Sequence, residues 1–323
     1  MAYAQAQQTH HSAIPVIDIT PLRDGSDAVT VAKALHAASQ GMGFIYIKGH
    51  GIQDETIKAA YASALAFFRH STTEKSKVTV STKHRGWLPQ GGVVMAAGVN
   101  ADLKESFIWG TEDTDENTLE DHPLRGTNRW PAFVPELQKH AMDYFNQAQE
   151  VALHLMRGFA LGLNLEEGFF LRSNLAPLSR ASFVYYPSQS KNLGMQQFGA
   201  GPHTDFGVLT ILCQDAVGGL QIEDIDGKWI EAPPIKGSLV VNVGDLLSRW
   251  TDGTYRSTKH RVINNSGSER LSLVLAYDPD PDTIIDACNI FGTGHKAAEE
   301  PITCGDYLIW RFEKAFSYRE AKK

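Results

Sequence analysis

The spacing of apolar residues changes near residue 180, and this change limits the folds that the chain can adopt. Between Val134 and Leu163, apolar side chains recur every three or four residues, which predicts one long amphipathic helix. After residue 180 the period becomes two, and Gly, Pro, Asn and Asp separate strand-like runs at 181–187, 207–213, 219–223, 238–243, 256–263 and 270–278. Regular short strands favour a sandwich or barrel over a parallel, doubly wound sheet. We therefore predict an α+β fold in which helices surround a barrel-like core of strands.

Shorter elements are predicted on either side of these segments. The sequence indicates strands at 14–18 and 44–52, helices at 28–40, 54–69 and near 305–319, and a Gly-rich region of loops up to about 130. We expect a flexible segment at 1–13, an N-terminal region at 14–130 packed on the core, and a part at 131–323 that holds the long helix, the strand core and the last helix. These parts are expected to form one compact unit.

Composition and charge exclude several classes of partner. The 323 residues carry a formal net charge of −7, so the chain lacks the basic field of a general nucleic-acid binder and the basic patch of a lipid binder. Its three cysteines form no CxxC pair, which is typical of a protein kept in a reducing cytoplasm. No signal-peptide pattern opens the sequence, and no apolar run is long enough to span a bilayer. We expect a cytoplasmic protein that acts on a small molecule, with no nucleic-acid or membrane partner.

A candidate metal site comes from GPHTDFGVLTIL at 201–212. His203 and Asp205 are two residues apart, so on an extended chain their side chains project from the same face. His260, in STKHRV at 257–262, offers a third ligand from another predicted strand. Two histidines and one carboxylate form the facial triad that leaves positions open on Fe(II). A zinc hydrolase is a weaker interpretation, because no HExxH is present.

Two polar residues follow His260 in ERLSLVLAYDP. Arg270 and Ser272 share one face of a predicted strand, and Arg offers a planar fork for a carboxylate. We predict a hairpin between 256–263 and 270–278 with a five-residue loop at 265–269. Arg270 is then about four residues from His260 along the ladder, roughly 13 Å. This spacing suits a 2-oxo acid that chelates the metal and carries a distal carboxylate.

These residues resemble the iron(II)- and 2-oxoglutarate-dependent dioxygenases, and specifically the branch that includes isopenicillin N synthase. The matching positions are His203, Asp205, His260, Arg270 and Ser272. The resemblance extends from about residue 14 to 318 and includes IPVIDIT, GFIYIKGHGI, HRGWLP, DLKESFIWG and SFVYYP.

The resemblance implies a distorted double-stranded β-helix, or jelly roll, with helices around it. It implies that His203, Asp205 and His260 bind iron as the catalytic centre, and that O₂ and 2-oxoglutarate are used, with ascorbate as a reductant. Arg270 and Ser272 are then expected to hold the distal carboxylate of 2-oxoglutarate, with a hydroxyl from Tyr186. Many relatives carry an Asn two residues before this Tyr, where this chain has Val184.

The substrate pocket and the exact reaction are less constrained. By family position we expect Arg85, Trp87, Phe107, Met195 and Phe198 to line the pocket, and we interpret Lys104–Glu105 as a surface pair. The expected reaction is hydroxylation, or another C–H oxidation, of a small molecule, coupled to oxidation of 2-oxoglutarate to succinate and CO₂. Two alternatives stay open: an oxidase of the isopenicillin N synthase type that does not use 2-oxoglutarate, and a non-catalytic sensor that binds the metal and the diacid. The sequence does not indicate an oligomeric state.

Overall fold

The strands of the computed structural model are short and concentrated after residue 180. The structure describes residues 14–92, 101–112, 122–189 and 197–316. Its strands are β1 (Val16–Asp18), β2 (Phe44–Lys48), β3 (Gly86–Leu88), β4 (Glu105–Gly110), β5 (Arg180–Tyr186), β6 (Ala200–His203), β7 (Leu209–Gln214), β8 (Leu220–Glu223), β9 (Trp229–Glu231), β10 (Leu239–Val243), β11 (His260–Val262), β12 (Arg270–Tyr277), β13 (Ile284–Ile285) and β14 (Ile302–Thr303).

The helices lie mainly before this strand region and at its end. They are α1 (Thr20–Arg23), α2 (Ala28–Gly41), α3 (Asp54–Phe68), α4 (Thr72–Ser76), α5 (Glu136–Gly162), α6 (Asp245–Trp250), α7 (Cys288–Phe291) and α8 (Cys304–Ala315). A 3₁₀ turn at Phe169–Leu171 follows α5. Within the described residues, no helix is both long and apolar enough to cross a membrane.

Two sheets form the core of the fold. The larger, which we call the major sheet, has the order β1-β2-β10-β7-β12-β5-β4-β3, and the minor sheet has the order β6-β11-β8-β9. Apart from the parallel pair β1–β2, neighbouring strands in both sheets are antiparallel. One cavity is lined by side chains from both sheets. This arrangement confirms the predicted α+β fold with a jelly-roll core.

The long helix predicted from the sequence is α5. Its buried stripe includes Leu137, Ala141, Ala148 and Leu155, and it follows the spacing of three and four that the sequence shows. The helix packs against α2, α3 and the outer face of the major sheet, where the Tyr144 hydroxyl donates to the carbonyl of Leu273. The stripe thus buries the face of the sheet that points away from the cavity.

The predicted hairpin between 256–263 and 270–278 is wrong. β11 spans only His260–Val262 and pairs with β6 and β8 of the minor sheet, whereas β12 pairs with β5 and β7 of the major sheet. The connecting chain crosses from one sheet to the other, and the Asn264 side chain donates to the carbonyl of Ser268 within that connection. His260 and Arg270 therefore belong to opposite walls of the cavity, and not to one ladder.

The region interpreted as loops up to about 130 also contains strands. β3 and β4 extend the major sheet beyond β5, and α4 precedes them. The predicted division at residues 130 and 131 stays a prediction.

Candidate metal centre and active site

The three predicted ligands meet at one end of the minor sheet. His203 is the last residue of β6, His260 is the first residue of β11, and the two are register partners. Asp205 follows β6 by two residues, and its Oδ1 lies 3.7 Å from Nε2 of His203 and 3.6 Å from Nε2 of His260. One ligand atom from each residue lies within 4.8 Å of the others. Two imidazoles and one carboxylate at this spacing fit a divalent iron with open positions.

Hydrogen bonds orient each ligand toward the shared point. Nδ1 of His203 donates to the carbonyl of Gly201 at 2.7 Å, and Nδ1 of His260 donates to the carbonyl of Thr258 at 3.2 Å. Because these carbonyls only accept, the Nε2 lone pairs stay available for a metal.

Two further features prepare the ligands electrostatically. Oδ2 of Asp205 accepts a hydrogen bond from Nδ2 of Asn242 at 2.8 Å, which turns Oδ1 toward the imidazoles. Burial, together with the neighbouring His260, lowers the pKa of His203 to about 4. The imidazole of His203 is therefore neutral at pH 7, which is the form that binds metals.

A buried arginine lies on the opposite wall, and no acidic side chain among the described residues pairs with it. Arg270 and Ser272 are both about 1% exposed, and both line the cavity from β12. Nε of Arg270 donates to the carbonyl of Gly218 at 2.6 Å, but within the described residues Nη1, Nη2 and the Ser272 hydroxyl have no hydrogen-bond partner. A buried cation with unsatisfied donors is costly unless an anion binds there. The planar pair of donors fits a carboxylate, and 2-oxoglutarate carries one at the required distal position.

The ring of Tyr186 contacts the guanidinium of Arg270. It is the register partner of Arg270, and the guanidinium carbon lies 4.7 Å from its ring centre, within the range of a cation–π contact. The predicted hydroxyl contact from Tyr186 stays a prediction. Val184 is the register partner of Ser272 and also lines the cavity, so an apolar side chain stands where many relatives have Asn.

The cavity between the sheets has a volume of about 200 Å³. On β4, β7 and β12 of the major sheet, alternate residues face it, as the strand period of two requires. Its walls include Phe44, His84, Leu88, Lys104, Ser106, Ile108, Arg180, Ser182, Val184, Tyr186, Thr210, Leu212, Asn242, Arg270, Ser272, Val274, Ala276 and Phe316, together with the three metal-binding candidates.

Four of the predicted pocket residues do not line this cavity. In β3 and β4 the lining residues are Leu88, Ser106 and Ile108, whereas Trp87 and Phe107 point to the other face. Phe107 packs against Phe67 of α3, with 4.9 Å between ring centres. The prediction took the wrong face of both strands, because a shift of one residue reverses the direction of every side chain.

The other pocket predictions fare similarly. Arg85 is buried, and its Nη1 donates to the carbonyl of His84, so His84 and not Arg85 reaches the cavity. Phe198 is buried under the guanidinium of Arg261, 5.6 Å from its ring centre. Met195 lies outside the described residues.

Lys104 and Glu105 do not form a surface pair. Nζ of Lys104 lies 3.0 Å from Oδ2 of Asp102, which is fully buried, and Lys104 lines the cavity. Glu105 turns away and accepts hydrogen bonds from Lys75 and from the indole of Trp87. The interpretation was wrong because Lys104 precedes a strand that is buried on both faces.

Asn242 and Arg180 are candidate site residues that the sequence reasoning missed. Asn242 had a visible signal, because it is a polar residue inside the apolar run LVVNV of β10. An amide at such a position needs a buried partner, and here the partner is Asp205. Arg180 opens β5 and gave no comparable signal.

Comparisons with known proteins agree with this geometry. Residues 178–279 match the 2OG-Fe(II) oxygenase superfamily, and residues 14–133 match the N-terminal region of the non-haem dioxygenase in morphine synthesis. The chain is 32% identical to the 2-oxoglutarate-Fe(II) type oxidoreductase hxnY of Emericella nidulans over 97% of this chain and 93% of that protein.

Two solved structures share the whole fold. A full-length protein of Neurospora crassa in complex with alpha-KG and thymine superposes with a TM-score of 0.84 and 28% identity, covering 96% of this chain and 99% of that one. JOX2 in complex with 2OG, Fe and JA superposes with a TM-score of 0.78 and 27% identity, covering 97% of this chain and 90% of JOX2. Together with the sequence matches, these findings show that the chain belongs to the 2OG-Fe(II) oxygenase superfamily.

Proposed function

We propose that this chain is an Fe(II)- and 2-oxoglutarate-dependent oxygenase that oxidises a C–H bond of a small molecule. The observation that carries the proposal is that a set of metal-ligand atoms and a set of hydrogen-bond donors face each other across one cavity. One wall holds the converging ligand atoms of His203, Asp205 and His260, and the other holds donors of Arg270 and Ser272 that have no partner among the described residues. The alpha-KG and thymine bound to the Neurospora crassa protein, and the 2OG, Fe and JA bound to JOX2, support the same activity here.

Different side chains of the cavity would bind the iron and the 2-oxoglutarate. His203, Asp205 and His260 would hold the iron, while Arg270 and Ser272 hold and orient the distal carboxylate of 2-oxoglutarate. When bound, iron(II) supplies a site for O₂ activation while 2-oxoglutarate is oxidised to succinate and CO₂. Apolar walls such as Phe44 and Val184 exclude water from the reacting groups. Ascorbate, as a reductant that keeps the iron ferrous, is part of the proposal.

The proposal also includes the setting of the reaction. We place it in the cytoplasm, since Cys213, Cys288 and Cys304 are free thiols. The partner is a small molecule, and the net charge of −7 gives no reason to propose nucleic acid or lipid.

An anaerobic calorimetric titration of 2-oxoglutarate into the chain tests the proposal. The titration compares the Fe(II)-loaded chain, the iron-free chain and two iron-loaded variants, Arg270→Met and the control Arg172→Met. Arg172 is exposed and pairs with Glu166, so its loss leaves the cavity intact. We expect binding that requires iron, persists in Arg172→Met and weakens at least a hundredfold in Arg270→Met, because a charge-assisted, two-point contact is lost.

The alternatives correspond to distinct outcomes. No binding to folded, iron-loaded chain would contradict the use of 2-oxoglutarate and favour an oxidase that takes all its electrons from its own substrate. Binding with no succinate formed, with or without added small molecules under O₂, would favour the non-catalytic sensor.

A further inference from the structure

A second arginine lies at the far end of the cavity. The side chain of Arg180 is 13% exposed and lines the cavity. Its Nη1 donates to Oδ2 of the buried Asp278 at 2.6 Å, and its guanidinium carbon lies 4.6 Å from the ring centre of Phe312. In the described part of the chain, Nε and Nη2 have no hydrogen-bond acceptor. The pair with Asp278 therefore fixes the guanidinium and leaves donors available.

The strand register places Arg180 in the same row as the metal centre. Arg180 pairs with Ala276, Ala276 pairs with Thr210, and Thr210 pairs with Asn242, and all four residues line the cavity. The side chain of Asn242 hydrogen-bonds to Asp205, and Thr210 and Asp205 line the same cavity. Two strand spacings, about 10 Å, separate the backbones at Arg180 and Thr210. A molecule that contacts the guanidinium of Arg180 thus has its other end close to the metal ligands.

Arg180 is too far from the proposed 2-oxoglutarate anchor to share its ligand. Arg270 and Ala276 are six residues apart on β12, about 20 Å along the strand, and Arg180 is the partner of Ala276. The two arginines therefore occupy opposite ends of one strand pair. The end that holds Arg270 suits the cosubstrate, which leaves the end that holds Arg180 for another molecule.

The surroundings of Arg180 indicate what that molecule presents. Asp278 offsets the charge of Arg180, so this end of the cavity offers directed N–H donors rather than a surplus of positive charge. Adjacent N–H groups on a planar guanidinium suit an sp² oxygen, either a carboxylate or a carbonyl. A carboxylate oxygen and a carbonyl oxygen can each accept hydrogen bonds from Nε and Nη2 of Arg180.

We propose that Arg180 anchors the main substrate, and that this substrate is a small molecule whose carboxylate or carbonyl oxygen accepts hydrogen bonds from Arg180. The inference rests on the proposed function and assigns a specificity-determining residue to it. Arg180 holds the substrate in position and takes no part in bond breaking.

Succinate release in the presence of matched small molecules tests this proposal. The probes are sets with one carbon skeleton, such as benzoate, benzamide and benzylamine, with aliphatic and heteroaromatic counterparts. The chain is compared with Arg180→Lys, which keeps a cation for Asp278, and with the control Arg172→Lys on the surface. The melting temperature of each variant reports its folding.

We expect acids or amides, and not the amines, to stimulate succinate release. For a stimulating compound, KM rises at least tenfold in Arg180→Lys with a smaller change in kcat, because the planar pair of donors is lost. A preference for the acid over its amide identifies a carboxylate, and the opposite preference identifies a carbonyl.

Three results would overturn the inference: stimulation by amines alone, an unchanged KM in folded Arg180→Lys, or no stimulation by any acid or amide. Iron-dependent binding of 2-oxoglutarate to the unaltered chain, measured in parallel, separates these failures from a failure of the proposed function.

Discussion

His203 and His260 are register partners across the β6–β11 pair, with 4.3 Å between their ring centres. Their positions are therefore set by backbone hydrogen bonds of the minor sheet. Asp205 enters from the turn after β6, and a hydrogen bond from Asn242 orients its carboxylate to complete the set. The strand pairing and this hydrogen bond thus hold the three ligands in one geometry, which is the arrangement that favours tight and selective binding.

Replacing either histidine should abolish iron binding. In His203→Ala or His260→Ala, only two ligands remain, so we expect less than a tenth of the iron per chain after anaerobic reconstitution and no detectable succinate release. Metal analysis of desalted protein measures the first effect. His70→Ala serves as the control, because His70 is exposed and does not line the cavity. Full iron content in His260→Ala would contradict the assigned triad.

Asn242 should affect iron affinity without binding iron. In Asn242→Val, Asp205 loses the hydrogen bond that orients its carboxylate, and we expect the Kd for Fe(II) to rise about 10- to 100-fold. Valine suits a buried strand, so the melting temperature should change little. A competitive chelator titration gives the Kd, with Asn289→Val, at an exposed position, as the control. An unchanged Kd would show that Asp205 is held by other contacts.

Arg270 should lower the free energy of unfolding of the chain when neither iron nor 2-oxoglutarate is bound. Its two unpaired terminal nitrogens are buried, so Arg270→Met is expected to raise the free energy of unfolding of the iron-free chain by about 1–3 kcal/mol. With iron and 2-oxoglutarate this advantage of the variant should shrink by about 2 kcal/mol. At a hundredfold excess over the Kd of the unaltered chain, the ligand stabilises that chain by about 2.7 kcal/mol and the variant by at most about 0.4 kcal/mol. Urea titrations with and without ligand measure both values, and a large loss of stability in the free variant would contradict this account.

Substitutions of Asp102 and Lys104 should have coupled effects on the free energy of unfolding. Asp102 accepts from the backbone N–H of Gly201 at 2.9 Å and lies 3.0 Å from the ammonium of Lys104. In Asp102→Ala the cation stays buried without its partner, so we expect the free energy of unfolding to fall by about 3–5 kcal/mol. Adding Lys104→Met should recover part of this loss. A double-mutant cycle in urea tests it, and purely additive effects would exclude coupling between the two charges.

Local patterns predicted the long helix and the metal ligands. Helix α5 carries its apolar stripe over Glu136–Gly162. The recurrence of apolar residues about every 3.6 positions can therefore be recognised without knowledge of the rest of the chain. His203 and Asp205 are neighbours in sequence, and their residue types alone suggest a metal. Arg270 and Ser272 share one strand face, as predicted, because that needs only the period of two.

Relationships between distant segments were not legible in the same way. A five-residue loop after His260 permits a hairpin, but the pairing of β11 with β6 and β8 decides otherwise, and those partners are distant in sequence. The faces of β4 were ambiguous because the cavity covers one side and α3 with its neighbours covers the other. Phe107 and Ile108 are both apolar and both buried, so the sequence pattern does not indicate which of the two side chains reaches the cavity.

The two walls of the cavity belong to different sheets, and this has a mechanical consequence. The hydrogen bond from Arg270 to the carbonyl of Gly218 ties the major sheet to the chain that leads into β8 of the minor sheet. In the proposed complex, His203 and His260 on the minor sheet would hold the iron, and Arg270 on the major sheet would hold the distal carboxylate of 2-oxoglutarate, so the ligands would link the two sheets. Loss of succinate after each turnover would then remove the link through the ligand, while the hydrogen bond from Arg270 to Gly218 would still join the two sheets.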